Sequence, residues 1–191
     1  MLLGNYSDLY QYNTYLLDGH TMHWSSTTIP VYGVTGGDWR KAIKRWPIVN
    51  FGFVSTEPAR EIHIMGYDDL GNICGLASFA YDSAGALELF TVKVNMCYDD
   101  MNCTRMTNMI THEIGYCIGV FKHTADGRLI DEHANGSREI TSTITVMLGL
   151  LYTIAPGTDI CDQLLARRSS STHIMSRYQP DGGKWYSHSW S

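Results

Sequence analysis

Short stretches between residues 28 and 95 alternate apolar with polar side chains or are rich in β-branched and aromatic residues, which is typical of β-strands. Five such stretches cover residues 28–34, 48–54, 61–65, 73–80 and 87–95. Between the first two, Trp39, Ile43 and Trp46 recur at helical spacing on one face. Asp38 before them and Pro47 after them are typical of a helix start and a helix stop. The pattern therefore predicts five strands, with a helix after the first.

A second helix is predicted from about Met101, where Met109, Ile110 and Ile114 form an apolar segment. This order of elements predicts an α+β fold with a mixed, twisted five-stranded sheet and two main helices. Residues 141–153 form a further strongly apolar stretch, which fits either a pair of short strands or a buried helix. Residues 1–24 carry aromatic residues without a clear period, and we interpret them as an N-terminal extension that packs on one domain formed by residues 25–191.

The overall composition narrows the class of protein. The chain has 191 residues, of which 44% are apolar and 17% charged, and this suits one folded domain. Its net charge of −5 argues against a nucleic-acid-binding surface, which needs a basic face. No apolar run is long enough to predict a membrane span. Residues 1–6 lack the basic and the long apolar parts of a signal peptide, so if the protein is exported we expect this chain to be its mature form or a shortened form.

The five cysteines leave the redox compartment open. None lies in a CxxC pair, which argues against a structural zinc knuckle. Cys97 and Cys103 are six residues apart across a polar turn and are spaced to bridge. The odd count leaves at least one thiol without a disulfide partner in the same chain.

The second helix carries the candidate chemistry, beginning at His112 and Glu113. In a zinc-peptidase helix, two His residues at i and i+4 share one face and bind Zn²⁺, and a Glu directly after the first His acts as general base. The long form of this motif adds a glycine three residues after the second His and a third His three residues later. His112, Glu113 and Gly119 occupy the required positions.

Two positions depart from that motif. Tyr116 stands where the second His is required, and His123 comes one residue late. One residue of slack is easily absorbed in a loop, so His123 stays a candidate ligand. Tyr116 points the same way as His112, but a phenol is a good zinc ligand only as phenolate.

Three interpretations of Tyr116 are open. It is a substitution that cripples an active peptidase, or it belongs to a weak metal site that keeps some activity, in which it or another group joins His112 and His123. In the third interpretation the chain is a non-catalytic relative that keeps the fold for binding.

With this helix, the chain resembles the metzincin metallopeptidases, and most closely the bacterial group named for its His-Glu-Ile-Gly-His signature, with Tyr116 at the second His. The resemblance covers most of the chain. The segments similar to those of the family are 24–31 (first strand), 75–77 (edge strand), 92–95 (strand before the helix), 154–158 (an Ile-Pro-Gly-Thr segment) and 172–175 (Met-turn). The helix that ends the family's domain has no counterpart after Trp190.

The resemblance implies a zinc-dependent metalloendopeptidase, secreted or extracellular, that acts as a monomer on peptide or protein substrates bound along the edge strand. A catalytically inactive pseudo-peptidase that serves as a protein-binding module is the alternative. The implied site residues are His112, Tyr116 and His123 as zinc ligands, Glu113 as general base, Met175 as Met-turn residue, and Gly75, Leu76 and Ala77 as substrate-binding residues.

The remaining candidate ligands have simpler interpretations. His63 is expected on the polar face of a strand rather than at a metal, and His133 is a reserve ligand. Cys117 is expected to pack or to pair rather than to bind zinc. The other histidines are interpreted as surface or loop residues, and they are His20, His23, His173 and His188.

Overall fold

The structure is a computed structural model. It describes residues 6–14, 19–33, 36–67, 70, 73–96, 106–130 and 139–161, together with the backbone alone of residues 3–5 and 186–190.

One mixed sheet forms the centre of the described part of the chain. Its strands are β1 (Thr28–Tyr32), β2 (Asn50–Phe53), β3 (Glu61–Tyr67), β4 (Gly75–Tyr81), β5 (Leu87–Asn95) and β6 (Tyr186–Trp190). They lie in the order β2-β1-β3-β5-β4-β6. The three pairs β2–β1, β1–β3 and β3–β5 are parallel, whereas β4 is antiparallel to both β5 and β6. The five predicted strands and the mixed sheet are confirmed, and β6 is an addition that the sequence pattern did not indicate.

Four helices accompany the sheet in the described residues, two more than predicted. They are α1 (Leu3–Tyr12), α2 (Gly37–Ile43), α3 (Met106–Cys117) and α4 (Ser142–Leu151). The apolar stretch of residues 141–153 is therefore a helix, and the Thr141 side chain caps it by accepting a hydrogen bond from the Ile144 amide. None of the helices in the described residues is long and apolar enough to cross a membrane.

Helix α3 is buried along almost its whole length. It packs against α2, β4 and β5, and every residue from Asn108 to Cys117 is buried. The apolar members of this stretch belong to the core cluster that also contains Phe79, Phe90 and Val92. Because a buried polar side chain loses its water, the polar residues of α3 have to find partners inside the protein.

Gly115 lets α3 approach α2 closely. A Cβ atom at this position would lie 2.8 Å from the Ile130 side chain and 2.9 Å from the Trp46 ring. The Trp46 indole nitrogen donates a hydrogen bond of 2.9 Å to the Thr111 carbonyl. The glycine therefore fixes the distance between α3 and Trp46, which follows α2, and with it the position of the residues on the opposite side of α3.

Asn13 joins the N-terminal segment to the end of α3. Its amide donates hydrogen bonds of 2.7 Å to the Met22 and Gly119 carbonyls, and its carbonyl accepts one of 3.0 Å from the Met22 amide. The side chain is fully buried. Leu9, Met22 and Trp24 also belong to the core cluster, so the residues predicted as an extension contribute directly to the core.

We predict that Asn13→Ala lowers the free energy of unfolding by about 3 kcal/mol, because it leaves several buried backbone groups without a partner. Urea unfolding followed by circular dichroism measures the loss. Asn50→Ala, at an exposed position of β2, is the matched control and is expected to stay within about 0.5 kcal/mol of the parent. Equal midpoints for the two variants would contradict the bridging role of Asn13.

Candidate active site

His112 and Tyr116 lie one helical turn apart on the same face of α3. Both side chains are buried. The distance between His112 Nε2 and the Tyr116 hydroxyl is 2.9 Å, which is a hydrogen bond. The two rings meet edge to face, with centroids 5.2 Å apart. The i, i+4 spacing of the motif is thus realised with a phenol in place of the second imidazole.

A tight turn after α3 brings His123 back to this pair. The Gly119 amide donates to the Tyr116 carbonyl and the Val120 amide to the Gly115 carbonyl, which is the hydrogen-bond pattern of a Schellman helix end. Gly119 has φ +109°, a backbone conformation that side chains with a Cβ rarely adopt. His123 Nε2 forms a short hydrogen bond with the Tyr116 hydroxyl, and its ring centroid lies 5.3 Å from that of His112.

A backbone carbonyl fixes the tautomer of His112. His112 Nδ1 lies 2.6 Å from the Leu129 carbonyl oxygen, which can only accept a hydrogen bond. Nδ1 therefore carries the proton, and the neutral ring presents the lone pair of Nε2 to the centre of the site. This is the tautomer that a histidine needs in order to bind a metal through Nε2.

The loop that supplies this carbonyl is held by its own hydrogen bonds. The Asp126 carboxylate accepts from the Thr124 hydroxyl and from the Arg128 amide. The Thr124 amide donates to the Ile130 carbonyl, which closes the loop on itself. The segment that follows His123 is thereby folded back so that Leu129 reaches His112.

The proton positions around Tyr116 follow from that tautomer. Because His112 Nε2 is an acceptor, the Tyr116 hydroxyl donates to it. The phenol oxygen then accepts from His123 Nε2. His123, Tyr116 and His112 therefore form a continuous chain of hydrogen bonds.

The same three atoms offer a donor set for a metal. Two imidazole nitrogens and one oxygen are ligand types that Zn²⁺ accepts. Among the described residues, no His, Cys, Asp or Glu joins His112 and His123 as a third ligand, and the third donor that these residues offer is the phenol oxygen of Tyr116. The residues fit zinc if the Tyr116 hydroxyl gives up its proton and His123 presents Nε2 as a lone pair.

Glu113 lies beside this cluster and is fully buried. Neither carboxylate oxygen has a hydrogen-bond partner within the described residues. Burial raises the pKa of Glu113 well above its usual range. A buried carboxylate with a raised pKa beside possible metal ligands is a property expected of a general base or acid.

Gly75 of β4 faces this carboxylate. A Cβ atom on Gly75 would lie 2.6 Å from Glu113 Oε1, so the absence of a side chain makes room for the glutamate. Gly75 and Ala77 are buried and Leu76 is half-buried. The structure thus brings the start of β4, where the sequence predicts substrate binding, next to the predicted general base.

β4 is not the edge of the sheet, which corrects the sequence-based expectation. Its outer side pairs with β6, from Gly75 opposite Trp190 to Phe79 opposite Tyr186. The backbone groups that an extended substrate would need at this edge are engaged by the chain itself. The sequence did not show this, because residues 186–190 carry no strong strand signal.

Of four other residues that the sequence analysis considered, two lie outside the described part of the chain and two are buried within it. Met175 and His133 lie outside the described residues. His23 is buried rather than exposed, with ring nitrogens 2.7 Å from the Trp24 carbonyl oxygen and 3.0 Å from that of Ile154. Cys117 is a buried free thiol whose pKa burial raises well above its ordinary value, so it packs in the core as expected.

Sequence reasoning missed the Leu129 carbonyl and the Gly75–Glu113 contact. A backbone carbonyl leaves no mark in the residue type, so nothing in the sequence points to Leu129. Gly75 was singled out only as part of a strand. A glycine at the first position of an otherwise apolar strand indicates that another group approaches the backbone closely, and this glycine is visible in the sequence.

Comparisons with known proteins add little to this geometry. No protein-family model matches the chain, and no curated protein matches it. Among solved structures, high choriolytic enzyme 1, a hatching enzyme zinc-protease from the medaka fish Oryzias latipes, is similar with 16% identity and a TM-score of 0.31. The match covers 53% of this chain and 50% of that chain. A likeness of this extent does not establish a shared activity.

We predict that Glu113→Gln raises the free energy of unfolding of the metal-free protein at pH 8 by about 1–3 kcal/mol, because it removes a buried charge without a partner. The pKa of Glu113 is raised in the folded state, so the parent loses stability as pH rises above the ordinary value of 4.5. Below that pH the side chain of residue 113 is neutral in the parent as well as in the variant, so the difference between their free energies of unfolding vanishes. Urea unfolding in chelator at pH 4 and pH 8 measures it.

Glu88→Gln is the control for this comparison, since Glu88 is an exposed carboxylate paired with Arg60. Its effect on stability is expected to be small at both pH values. If Glu113→Gln is as stable as the parent at pH 8, the carboxylate is solvated or paired, and the description of Glu113 is wrong.

Proposed function

We propose that the protein is a zinc-dependent metalloendopeptidase of the metzincin type. The observation that carries the proposal is the convergence of His112 Nε2, His123 Nε2 and the Tyr116 hydroxyl at one point, with the buried Glu113 one residue from the first ligand. Three polar side chains thus meet at one point, of which His112 and Tyr116 are buried and His123 is half-buried. A catalytic metal centre explains why they do.

In this proposal each residue of the chain has a separate task. His112 and His123 would hold a zinc ion through Nε2, and Tyr116 would hold it as phenolate. Zinc in such a site activates a water molecule and polarises the scissile carbonyl. Glu113 takes the proton of the attacking water and passes it to the leaving amine, and its raised pKa suits both transfers. Leu129 keeps His112 in the binding tautomer.

A non-catalytic, protein-binding relative is the second candidate, and one observation favours it. The Tyr116 hydroxyl pairs with both imidazoles, so the site is internally satisfied without a metal. Zinc binding has to replace these two hydrogen bonds and remove the phenolic proton. If that exchange is unfavourable, the fold persists and the peptidase chemistry is lost.

The substrate in the proposed reaction is an extended peptide that pairs with β4 beside Glu113. Because β6 occupies that position, the substrate and residues 186–190 compete for the same backbone hydrogen-bonding groups. Five residue pairs along β4 are involved, from Gly75 to Phe79. Release of β6 therefore precedes substrate binding in this proposal.

We further propose a secreted or extracellular location and action as a monomer. Cys74 forms a disulfide, and disulfides persist mainly in oxidising compartments. Cys97 and Cys103, which the sequence analysis considered as a pair, lie outside the described residues.

The proposal is tested by measuring zinc content and casein cleavage for the parent, Tyr116→His and Tyr116→Phe. We expect about one zinc per chain at this site in the parent and tighter binding in Tyr116→His, because imidazole binds zinc without losing a phenolic proton. Tyr116→Phe keeps the ring but removes the donor atom, and is expected to lose the zinc. Cleavage by Tyr116→His but not by the parent would show a peptidase silenced at its second ligand.

Glu113→Gln separates metal binding from catalysis. It is expected to keep the zinc and to lose activity by about 100- to 10,000-fold, the usual contribution of a general base. The comparison is made in Tyr116→His if the parent is inactive. If neither the parent nor Tyr116→His binds more zinc than Tyr116→Phe, and neither cleaves casein, the peptidase proposal is wrong and the binding-module alternative is favoured.

Deleting residues 186–191 is predicted to increase peptide binding at β4, because it frees the backbone groups that β6 occupies. A fluorescent extended peptide measures affinity by anisotropy, and the full chain is the reference. Adding back a synthetic peptide of residues 186–190 is expected to compete with the probe. Unchanged affinity after the deletion, in a variant with an unaltered circular dichroism spectrum, would refute competition at this edge.

A further inference from the structure

A second group of possible metal ligands lies at the start of β3, on residues outside the α3 site. It consists of Glu57, which precedes β3, and of Glu61 and His63, which are two residues apart and so lie on the same face of the strand. One ligand atom from each of the three lies within 4.8 Å of the others. The distance from Glu61 Oε1 to His63 Nδ1 is 3.8 Å.

Glu61 distinguishes this group from an ordinary acidic surface cluster. Its side chain is only 1% exposed, and neither of its oxygens has a hydrogen-bond partner within the described residues. A buried carboxylate without a partner is costly, and proteins usually pair such a group or let it bind a metal. The His63 imidazole lies 3.8 Å from Glu61 Oε1, which is within the range of an ion pair with a protonated imidazole but too long for a hydrogen bond, and the other nearby ligand group is the Glu57 carboxylate.

The pKa of Glu61 agrees with this picture. Burial, and then the nearby negative charge of Glu57, raise the pKa of Glu61 above its ordinary value. Two carboxylates held together without a cation repel each other, and a cation between them would remove that repulsion.

We propose that Glu57, Glu61 and His63 form a second metal site, which binds a divalent transition ion such as Zn²⁺ or Mn²⁺. Two carboxylates and one imidazole are a mixed oxygen and nitrogen set that suits these ions, whereas Ca²⁺ prefers oxygen ligands alone. The rings of Tyr32 and His63 pack at a centroid distance of 4.8 Å, which restricts the orientation of the imidazole.

The proposed site joins β3 to the segment before it, which belongs to no strand of the sheet. Glu57 belongs to the exposed segment between β2 and β3, whereas Glu61 and His63 belong to β3. An ion held by all three fixes this segment against the strand. Metal binding is therefore expected to stabilise the fold, since the unfolded chain does not hold the three ligands together.

The test is metal binding by the full chain and by single-ligand variants. Equilibrium dialysis against ZnCl₂ and, separately, MnCl₂ measures the number of ions per chain and their affinity. Glu61→Gln and His63→Gln are each expected to lose one ion, or to bind it more weakly by more than the 10- to 100-fold typical of losing an outer-shell partner. Glu88→Gln, an exposed carboxylate on β5, is the control and is expected to bind as the parent does.

Metal binding by this second group can be measured independently of zinc binding by His112, Tyr116 and His123. Tyr116→Phe removes a donor at α3 and is expected to leave this second ion in place, so failure of either site leaves the other measurable. His63→Gln, at a partly exposed position, carries the test if Glu61→Gln fails to fold. Binding in both ligand variants that equals binding in Glu88→Gln would overturn the proposal.

Discussion

The structure depends on one constraint, which is that α3 is buried while carrying a histidine, a glutamate and a tyrosine near its C-terminal end. Buried polar groups need partners. For His112 the partners are the Leu129 carbonyl and Tyr116, and this requires the chain to leave α3 sharply and to return. Three features hold the chain in this course after α3. They are the turn at Gly119, the hydrogen bonds that Asp126 accepts in the following loop, and the hydrogen bonds that Asn13 donates to Met22 and Gly119.

Within α3, Glu113 departs from this rule. Its neighbours in α3 are paired, but its carboxylate is not paired within the described residues. A protein gains nothing in stability from such a group, and active sites are where such costs are usually accepted. Glu61, at the start of β3, is also buried and also has no hydrogen-bond partner for its carboxylate within the described residues.

The regular elements were predictable because their signals are local. The five strands of residues 28–95 and the helix at His112 follow from periodicity, and all form. Helix α1 was missed because its aromatic residues show no clear apolar face. Strand β6 was missed because three of its five residues are polar. Both are held by tertiary contacts, α1 against α4 and β6 against β4, and such contacts override local propensity.

The candidate site was predictable in its residues and not in its contacts. The spacing of His112, Tyr116 and His123 placed three side chains near one another, but not the hydrogen bonds that join them. Those depend on where the loop after His123 returns, and the return is set by backbone groups whose positions residue type does not encode. The same applies to Glu57 and Glu61, which sequence alone presents as ordinary acidic residues.

The pairing of β6 with β4 also bears on how the protein behaves at high concentration. If β4 were uncovered, it would expose a row of unpaired amides and carbonyls next to the buried Glu113, and such an edge recruits strands from other molecules. β6 covers the backbone of residues 75–79 with a strand that carries two serines and a histidine. The polar sequence of β6 makes it a poorer template for further strands than β4, so the outer edge of the sheet is less prone to aggregation than the strand it covers.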